Sequence, residues 1–216
     1  MRMIQACIFD LDGVLVDTAV YHYKAWKRLA NEMGFDFTEQ QNEQLKGISR
    51  MDSLDKILGW GHQQKTPAEK EMLATRKNEW YVEMISKMTP AEILPGALDF
   101  LKAAKAAGLK TGLGSASKNS AIILQNTGLL PYFDVLVDGN HVTKSKPDPE
   151  VFVTCAQQLG VDNIHCVVFE DAEAGVQAAK AAQMKCVGIG SASVLQLADR
   201  VVSDLREITP QDLDTL

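Results

Sequence analysis

The sequence predicts an α/β protein: a doubly wound parallel sheet with a small inserted helical cap domain. Three observations carry that prediction. From residue 89 onward, short apolar runs alternate with amphipathic segments, as successive βαβ units require. Residues 18–88 read as helix throughout and separate the first apolar run from the rest. Polar residues stand at the carboxyl ends of three different runs, where an open parallel sheet places its ligands. The α/β core domain is accordingly assigned to residues 1–17 and 89–216, and the helical cap domain to 18–88.

The first strand is expected in "IQACIF", residues 4–9, on its apolar and β-branched content. "TAVYHYKAWKRLANEMG" follows as an amphipathic helix with Tyr21, Ala25, Trp26, Leu29 and Met33 on one side, closed by Gly34. "TEQQ" at 38–41 fits a capping box that opens a short helix. "TPAE" at 66–69 offers Thr66 as N-cap, Pro67 at the first helical position and Glu69 in the first turn of a long helix reaching about Lys87. Four strand-like runs then alternate with four helices. The strands are "LKTGLG", "FDVLVD", "HCVVF" and "KCVGIG"; the helices are "PGALDFLKAAKAAG", "KNSAIILQNTG", "PEVFVTCAQQLG" and "AEAGVQAAKAAQ". "GIGSAS" at 188–193 follows a late strand and reads as an ordinary loop.

Bulk properties narrow the function classes. A net charge of -6 with no basic stripe argues against nucleic acid, and no run approaches the ~18 apolar residues of a membrane span. The aspartate motif begins by residue 10, too early for a cleaved signal peptide ahead of it. Cys7, Cys155, Cys166 and Cys186 lack CxxC spacing and have apolar neighbours, so buried thiols in a cytoplasmic setting are expected.

The chemistry gathers at "CIFDLDGVLVDT". Residues two apart in extended chain point the same way, so Asp10 and Asp12 reach a common centre. Glu170 and Asp171 arrive from another strand end. Carboxylate oxygens without nearby His or Cys suit a hard cation, and Mg²⁺ fits best because phosphate oxygens complete its octahedron. Gly13 permits a turn or close backbone approach. Ser115 can donate to a phosphate through its hydroxyl and its backbone N–H, and Lys146 in "KSKPDP" supplies a point charge. Gly114, just before "SAS", is expected to loosen that loop. Positioning groups, cations and a carboxylate nucleophile together make up a phosphoryl-transfer site.

"DLDG", "GSAS", "SKPDP" and "FEDAEAG", in that order, resemble the haloacid dehalogenase superfamily of phosphotransferases, whose Rossmann-like core carries an inserted helical cap. "DLDGVLVDTAVYHYKAW", "LKGISRMDSLDKIL", "RKNEWY", "SASKN" and "FEDAEAGVQAAKAA" are most similar to its β-phosphoglucomutase family, over almost the whole chain. The resemblance implies Asp10 as the nucleophile that becomes an aspartyl phosphate and Asp12 as general acid and base. It implies Mg²⁺ held by Asp10, the Asp12 carbonyl, Glu170 and Asp171, and the transferring phosphate held by Ser115 and Lys146. Substrate contacts are implied for Trp26, Lys46, Gly47, Ile48, Ser49, Arg50 and Ser53 of the cap, and for Ala116 of the core.

A mutase must turn a bisphosphate around while excluding water, which calls for a second anion site. Arg50 with Ser117, Lys118 and Asn119 is the candidate, and His22 with Lys77 is expected to couple cap closure to protonation of Asp12. Isomerisation of β-D-glucose 1-phosphate to glucose 6-phosphate, by a cytoplasmic monomer, is the expected activity. The alternatives are a sugar-phosphate phosphatase, a phosphorylatable receiver-type module and a small-molecule binding protein. Receiver modules are smaller, lack a helical insertion and do not phosphorylate the first strand. His62, His141 and His165 receive no role.

Overall fold

A computed structural model describes residues 3–216. Its six strands, β1 (Ala6–Phe9), β2 (Lys110–Gly114), β3 (Val135–Val137), β4 (Cys166–Glu170), β5 (Lys185–Ile189) and β6 (Arg200–Val202), form one parallel sheet in the order β3-β2-β1-β4-β5-β6. Strand β6 adds an edge that the sequence reading lacks, because three residues are too short a run to show periodicity. The chain winds outward from β1 to β3 and returns on the other side of β1 with β4. The topological switch point therefore lies between β1 and β4, whose register ends on the pair Phe9↔Phe169.

Alternation along the central strands explains why helices cover both faces. Cys7, Phe9, Val167 and Phe169 pack with α5 (Ala97–Ala106) and α6 (Ser120–Thr127). Ala6, Ile8, Cys166 and Val168 pack with α7 (Glu150–Leu159) and α8 (Glu173–Ala181). Phe9 and Phe169 stack at 4.7 Å between ring centres directly beneath the strand ends, giving the site a rigid floor. All four cysteines are buried in these layers, and no helix among the described residues is long and apolar enough to cross a membrane.

The helical insertion comprises α1 (Ala19–Glu32), α2 (Glu39–Glu43), α3 (Arg50–Trp60) and α4 (Pro67–Ile85). Capping boxes open α2 at Thr38/Gln41 and α4 at Thr66/Glu69, with Pro67 in the first turn of α4. Trp26, Leu29, Phe37, Leu54, Ile57 and Ala74 form a small apolar core of their own. Tyr81 and Ile85 of α4 join the large core instead, so one stripe of that helix ties the insertion to the sheet domain.

Candidate active site

At the switch point the Asp10 N–H donates to the Phe169 carbonyl at 2.9 Å, which carries the ladder one step past β1. The Asp10 side chain is then held from both sides. Its Oδ2 accepts from the Asp12 N–H at 3.0 Å, and its Oδ1 lies 2.5 Å from Lys146 Nζ. The same ammonium lies 2.6 Å from Glu170 Oε1 and 4.7 Å over the Phe152 ring. Glu170 Oε2 accepts from the Ala172 N–H at 2.8 Å. Lys146 enters from the long crossover between β3 and β4, through a cis Lys146–Pro147 bond.

Three glycines make this packing possible. A Cβ on Gly13, which has φ +77°, would lie 2.1 Å from Asp171 Oδ2; one on Gly175 would lie 1.8 Å from Glu170 Oε1. Gly175 sits inside α8, where glycine normally weakens a helix by ~1 kcal/mol, so the cost is accepted for the carboxylate. Gly114 does not loosen its loop as expected. A Cβ there would lie 2.7 Å from Phe152, the ring beneath Lys146.

Charge is unevenly balanced across the site. Burial opposes the Lys146 charge, but Asp10 and Glu170 outweigh it and hold Lys146 above its ordinary range. Burial, reinforced by Glu170 and Asp10, pushes Asp171 well up, with Lys46 opposing. Burial and the Asp10 carboxylate push Asp12 up to about 7, against the Thr18 hydroxyl, Lys146 and Lys77. Thr18 stands at the N-cap of α1 yet caps nothing, because its hydroxyl donates to Asp12 Oδ1 instead.

The cap supplies a contrasting set. Lys77 Nζ lies 2.9 Å from His22 Nδ1 and over the rings of Trp26 (4.4 Å) and Tyr81 (4.6 Å). Burial and nearby Arg50 hold Lys77 well below its ordinary range; burial, Lys77 and Arg50 do the same to His22. A neutral His22 accepting from Lys77 satisfies both shifts. The Tyr81 hydroxyl is buried without a hydrogen-bond partner among the described residues. Cap and core flank a cavity of about 750 Å³, which Asp10, Asp12 and Lys146 border from below and Arg50, Lys77 and Tyr81 from above.

A family model described as haloacid dehalogenase-like hydrolase matches residues 7–189. The chain belongs to that family. Among haloacid dehalogenase-like proteins it is 43% identical to β-phosphoglucomutase of Bacillus subtilis, covering 95% of this chain and 92% of that one. It superposes on a crystal structure of β-phosphoglucomutase from Clostridium difficile with a TM-score of 0.95 and 41% identity, over 98% and 96% of the two chains. Fructose-1-phosphate phosphatase of Escherichia coli is 35% identical over 84% of this chain and 94% of its own.

The haloacid dehalogenase-like cavity brings together nearly every residue singled out in the sequence. Asp10, Asp12, His22, Trp26, Lys46, Gly47, Ile48, Ser49, Arg50, Ser53, Lys77, Ser115, Ala116, Ser117, Lys118, Asn119, Lys146 and Asp171 all line it. Glu170 does not; it is fully buried behind Lys146. The backbone N–H of Ser115 is not available to a phosphate as expected, because it donates to the Val137 carbonyl at 3.0 Å and extends the β2–β3 ladder. Its hydroxyl oxygen accepts from the Ser117 N–H at 3.2 Å and keeps its own proton to donate. The Ser49 hydroxyl caps α3, and Ser53 Oγ donates to the Ser49 carbonyl at 2.8 Å, so both side chains serve the helix start that presents Arg50. Lys46 Nζ lies 3.6 Å from Asp171 Oδ2 and brings the cap onto the acidic cluster.

The acidic cluster suits a hard cation. Its donors are carboxylates with no nitrogen or sulfur ligand among them, and burial together with the neighbouring carboxylates pushes Glu170 and Asp171 up. Among the described residues no group of three or more such side chains is arranged to hold a metal ion by itself. Thr18, Asn78 and Tyr81 line or support the site; they lie in the quoted motifs but have no role in the sequence reading. The spacing of Lys77 and Tyr81, four apart on one helix face, is the signal that was there to read.

Proposed function

We propose that the chain is a Mg²⁺-dependent phosphomutase that isomerises β-D-glucose 1-phosphate to glucose 6-phosphate, through phosphorylated Asp10 and β-glucose 1,6-bisphosphate. The observation that carries this reading is one cavity between cap and core with two basic poles, the Lys146 ammonium beside Asp10 and the Arg50 guanidinium on the cap. A phosphatase needs only the first pole. The second, short of counter-charge, suits the phosphate that is not reacting. The β-phosphoglucomutases of Bacillus subtilis and Clostridium difficile, at 43% and 41% identity, support the same choice.

In this reading an Asp10 oxygen attacks phosphorus while the bond to the sugar oxygen breaks, and protonated Asp12 delivers its proton to that leaving oxygen. In the reverse sense Asp12 takes the proton from the attacking sugar hydroxyl. A carboxyl pushed up to about 7 can serve in both directions near neutral pH. The Ser115 hydroxyl and Lys146 ammonium hold the transferring phosphoryl oxygens. Asp10, the Asp12 carbonyl, Glu170 and Asp171 are the residues that would hold Mg²⁺, which when bound neutralises charge on the phosphoryl group. Arg50, Ser117, Lys118 and Asn119 hold the distal phosphate while the sugar reorients, and the closed cap keeps water from the acyl phosphate. Buried thiols accord with a cytoplasmic setting.

The deciding assay supplies β-glucose 1-phosphate, Mg²⁺ and catalytic bisphosphate and scores glucose 6-phosphate against inorganic phosphate. Glucose 6-phosphate should dominate; inorganic phosphate as the main product would make the protein a sugar phosphatase. Arg50→Ala removes the remote grip, so mutase turnover should fall by orders of magnitude and the phosphate share should rise. Arg50→Lys should not restore it, since the bidentate fork is lost. An unchanged rate and product ratio would make Arg50 a solvated cap residue.

A further inference from the structure

Two helices begin on residues that are well suited to cap them and do not. Thr38, Ser49 and Thr66 each accept a helix N–H through the side chain, as N-cap residues normally do. Thr18 and Asn119 make no such bond. Thr18 is accounted for by Asp12. Asn119 turns its side chain across the cavity, where its Nδ2 donates to Asn78 Oδ1 of α4 at 2.8 Å. Its own backbone N–H donates to Ser117 Oγ at 3.2 Å, which holds the residue in place while the amide reaches out. The bond thus joins the core loop 115–119 to the cap helix that carries Lys77.

A second cap–core contact, Lys46 to Asp171 at 3.6 Å, is an ion pair at the acidic cluster and is open to screening by salt. The asparagine pair is neutral, and reversing both amides keeps one N–H···O bond. We propose that Asn78 is an acceptor-selecting residue: by pairing with Asn119 it holds the cap over phosphorylated Asp10 and favours a sugar hydroxyl over water as phosphoryl acceptor. This rests on the mutase reading and assigns part of its water exclusion to one side chain. Neither Asp10 nor Lys146 touches Asn78, so formation of the acyl phosphate is independent of the latch.

The test uses Asn78→Ala and, to keep volume, Asn78→Leu; both residues are strong helix formers. Asp10 is phosphorylated with acetyl phosphate and Mg²⁺, and the phosphoenzyme lifetime is followed without sugar. Product ratios are then measured with β-glucose 1-phosphate. Both variants should phosphorylate at the unmutated rate, lose phosphate to water roughly three- to tenfold faster, and yield more inorganic phosphate per glucose 6-phosphate, the range one net hydrogen bond supports. Unchanged lifetimes and ratios in both variants would overturn the proposal. So would an equal loss of Asp10 phosphorylation, which marks a merely structural residue. Failure of the mutase reading shows separately, as unmutated protein that makes no glucose 6-phosphate, and the sugar-free lifetimes still decide whether Asn78 guards the acyl phosphate.

Discussion

Lys146 and Lys77 are buried in the same cavity, at 3% and 2% exposure, and their surroundings drive them in opposite directions. Lys146 has carboxylates at 2.5 and 2.6 Å and is held above its ordinary range. Lys77 has a neutral imidazole and two aromatic rings, with Arg50 nearby, and is held well below it. Burial is the same for both; the supply of negative charge differs. A lysine with resident counter-ions is a fixed part of the fold and orients the nucleophile. A lysine left without one is costly until an anion arrives, so substrate binding completes what folding leaves open. The contrast places the stability of the site at the core pole and its demand for ligand at the cap pole.

The largest effect should come from the core pole. Asp10→Asn removes the anionic nucleophile and leaves a poorer metal ligand, while Lys146 keeps Glu170 as its partner. Phosphoryl transfer should vanish and the thermal midpoint should stay close to that of the unmutated protein. Turnover in a purified, folded variant would remove Asp10 from its proposed role.

Replacing each lysine by methionine tests the contrast itself. Lys146→Met leaves Asp10 and Glu170 buried without a cation, a change that typically costs ~3–5 kcal/mol. For a domain of this size that lowers the midpoint by about 2–4 °C per kcal/mol. Lys77→Met removes a buried amine that has no carboxylate in contact, so the midpoint should hold or rise while mutase turnover falls. The pH dependence has opposite signs. Lys146 is raised in the fold, so its contribution is complete below the unfolded value of ~10.4 and is lost only as pH climbs through the higher folded one. Lys77 is lowered, so the unfolded chain binds the extra proton and stability recovers as pH rises from the folded value toward ~10.4. Thermal melts from pH 7 to 10 should therefore show the Lys77→Met advantage shrinking. Equal destabilisation by both substitutions would mean that the two lysines are bound alike.

The two poles were not equally legible. Asp10, Asp12, Ser115, Lys146, Glu170 and Asp171 stand on strand ends in short linear motifs, and parallel topology alone brings strand ends together. The cap residues carry no such pattern, and the resemblance to a family supplied them. Thr18 went unread because threonine before a helix looks like a cap, and only coordinates show its hydroxyl turned to Asp12. Asn119 was singled out for the second anion site, but its bond to Asn78 was hidden in the same way. Gly114 and Gly175 were present in quoted motifs, but their reason is a collision with Phe152 and Glu170 that no local pattern encodes. Ser115 was read as offering two donors; the third strand takes one of them. Chemistry written in strand order was recoverable, and chemistry made by a side chain leaving its usual local duty was not.

Thr18→Val offers the smallest and sharpest test of that last point. The substitution keeps the shape of a fully buried side chain and removes its hydroxyl. If Thr18 capped α1, the helix would lose ~1 kcal/mol and the midpoint would drop. The side chain caps nothing, so below neutral pH, where Asp12 is already protonated, the midpoint should move little. What changes is Asp12, whose carboxylate loses the hydrogen bond that opposes burial and Asp10. Its proton is then held more tightly, and the pH at which it titrates must rise. A hydrogen bond to a charged group is typically worth ~1.5–3 kcal/mol, or roughly one to two pH units. Both limbs of the turnover profile that depend on Asp12 should move to higher pH, with slower turnover below neutral, where the base form becomes scarce. Profiles of kcat against pH, measured beside thermal melts, separate the outcomes. A lowered midpoint with an unmoved profile would return Thr18 to the cap of α1 and leave Asp12 without its partner.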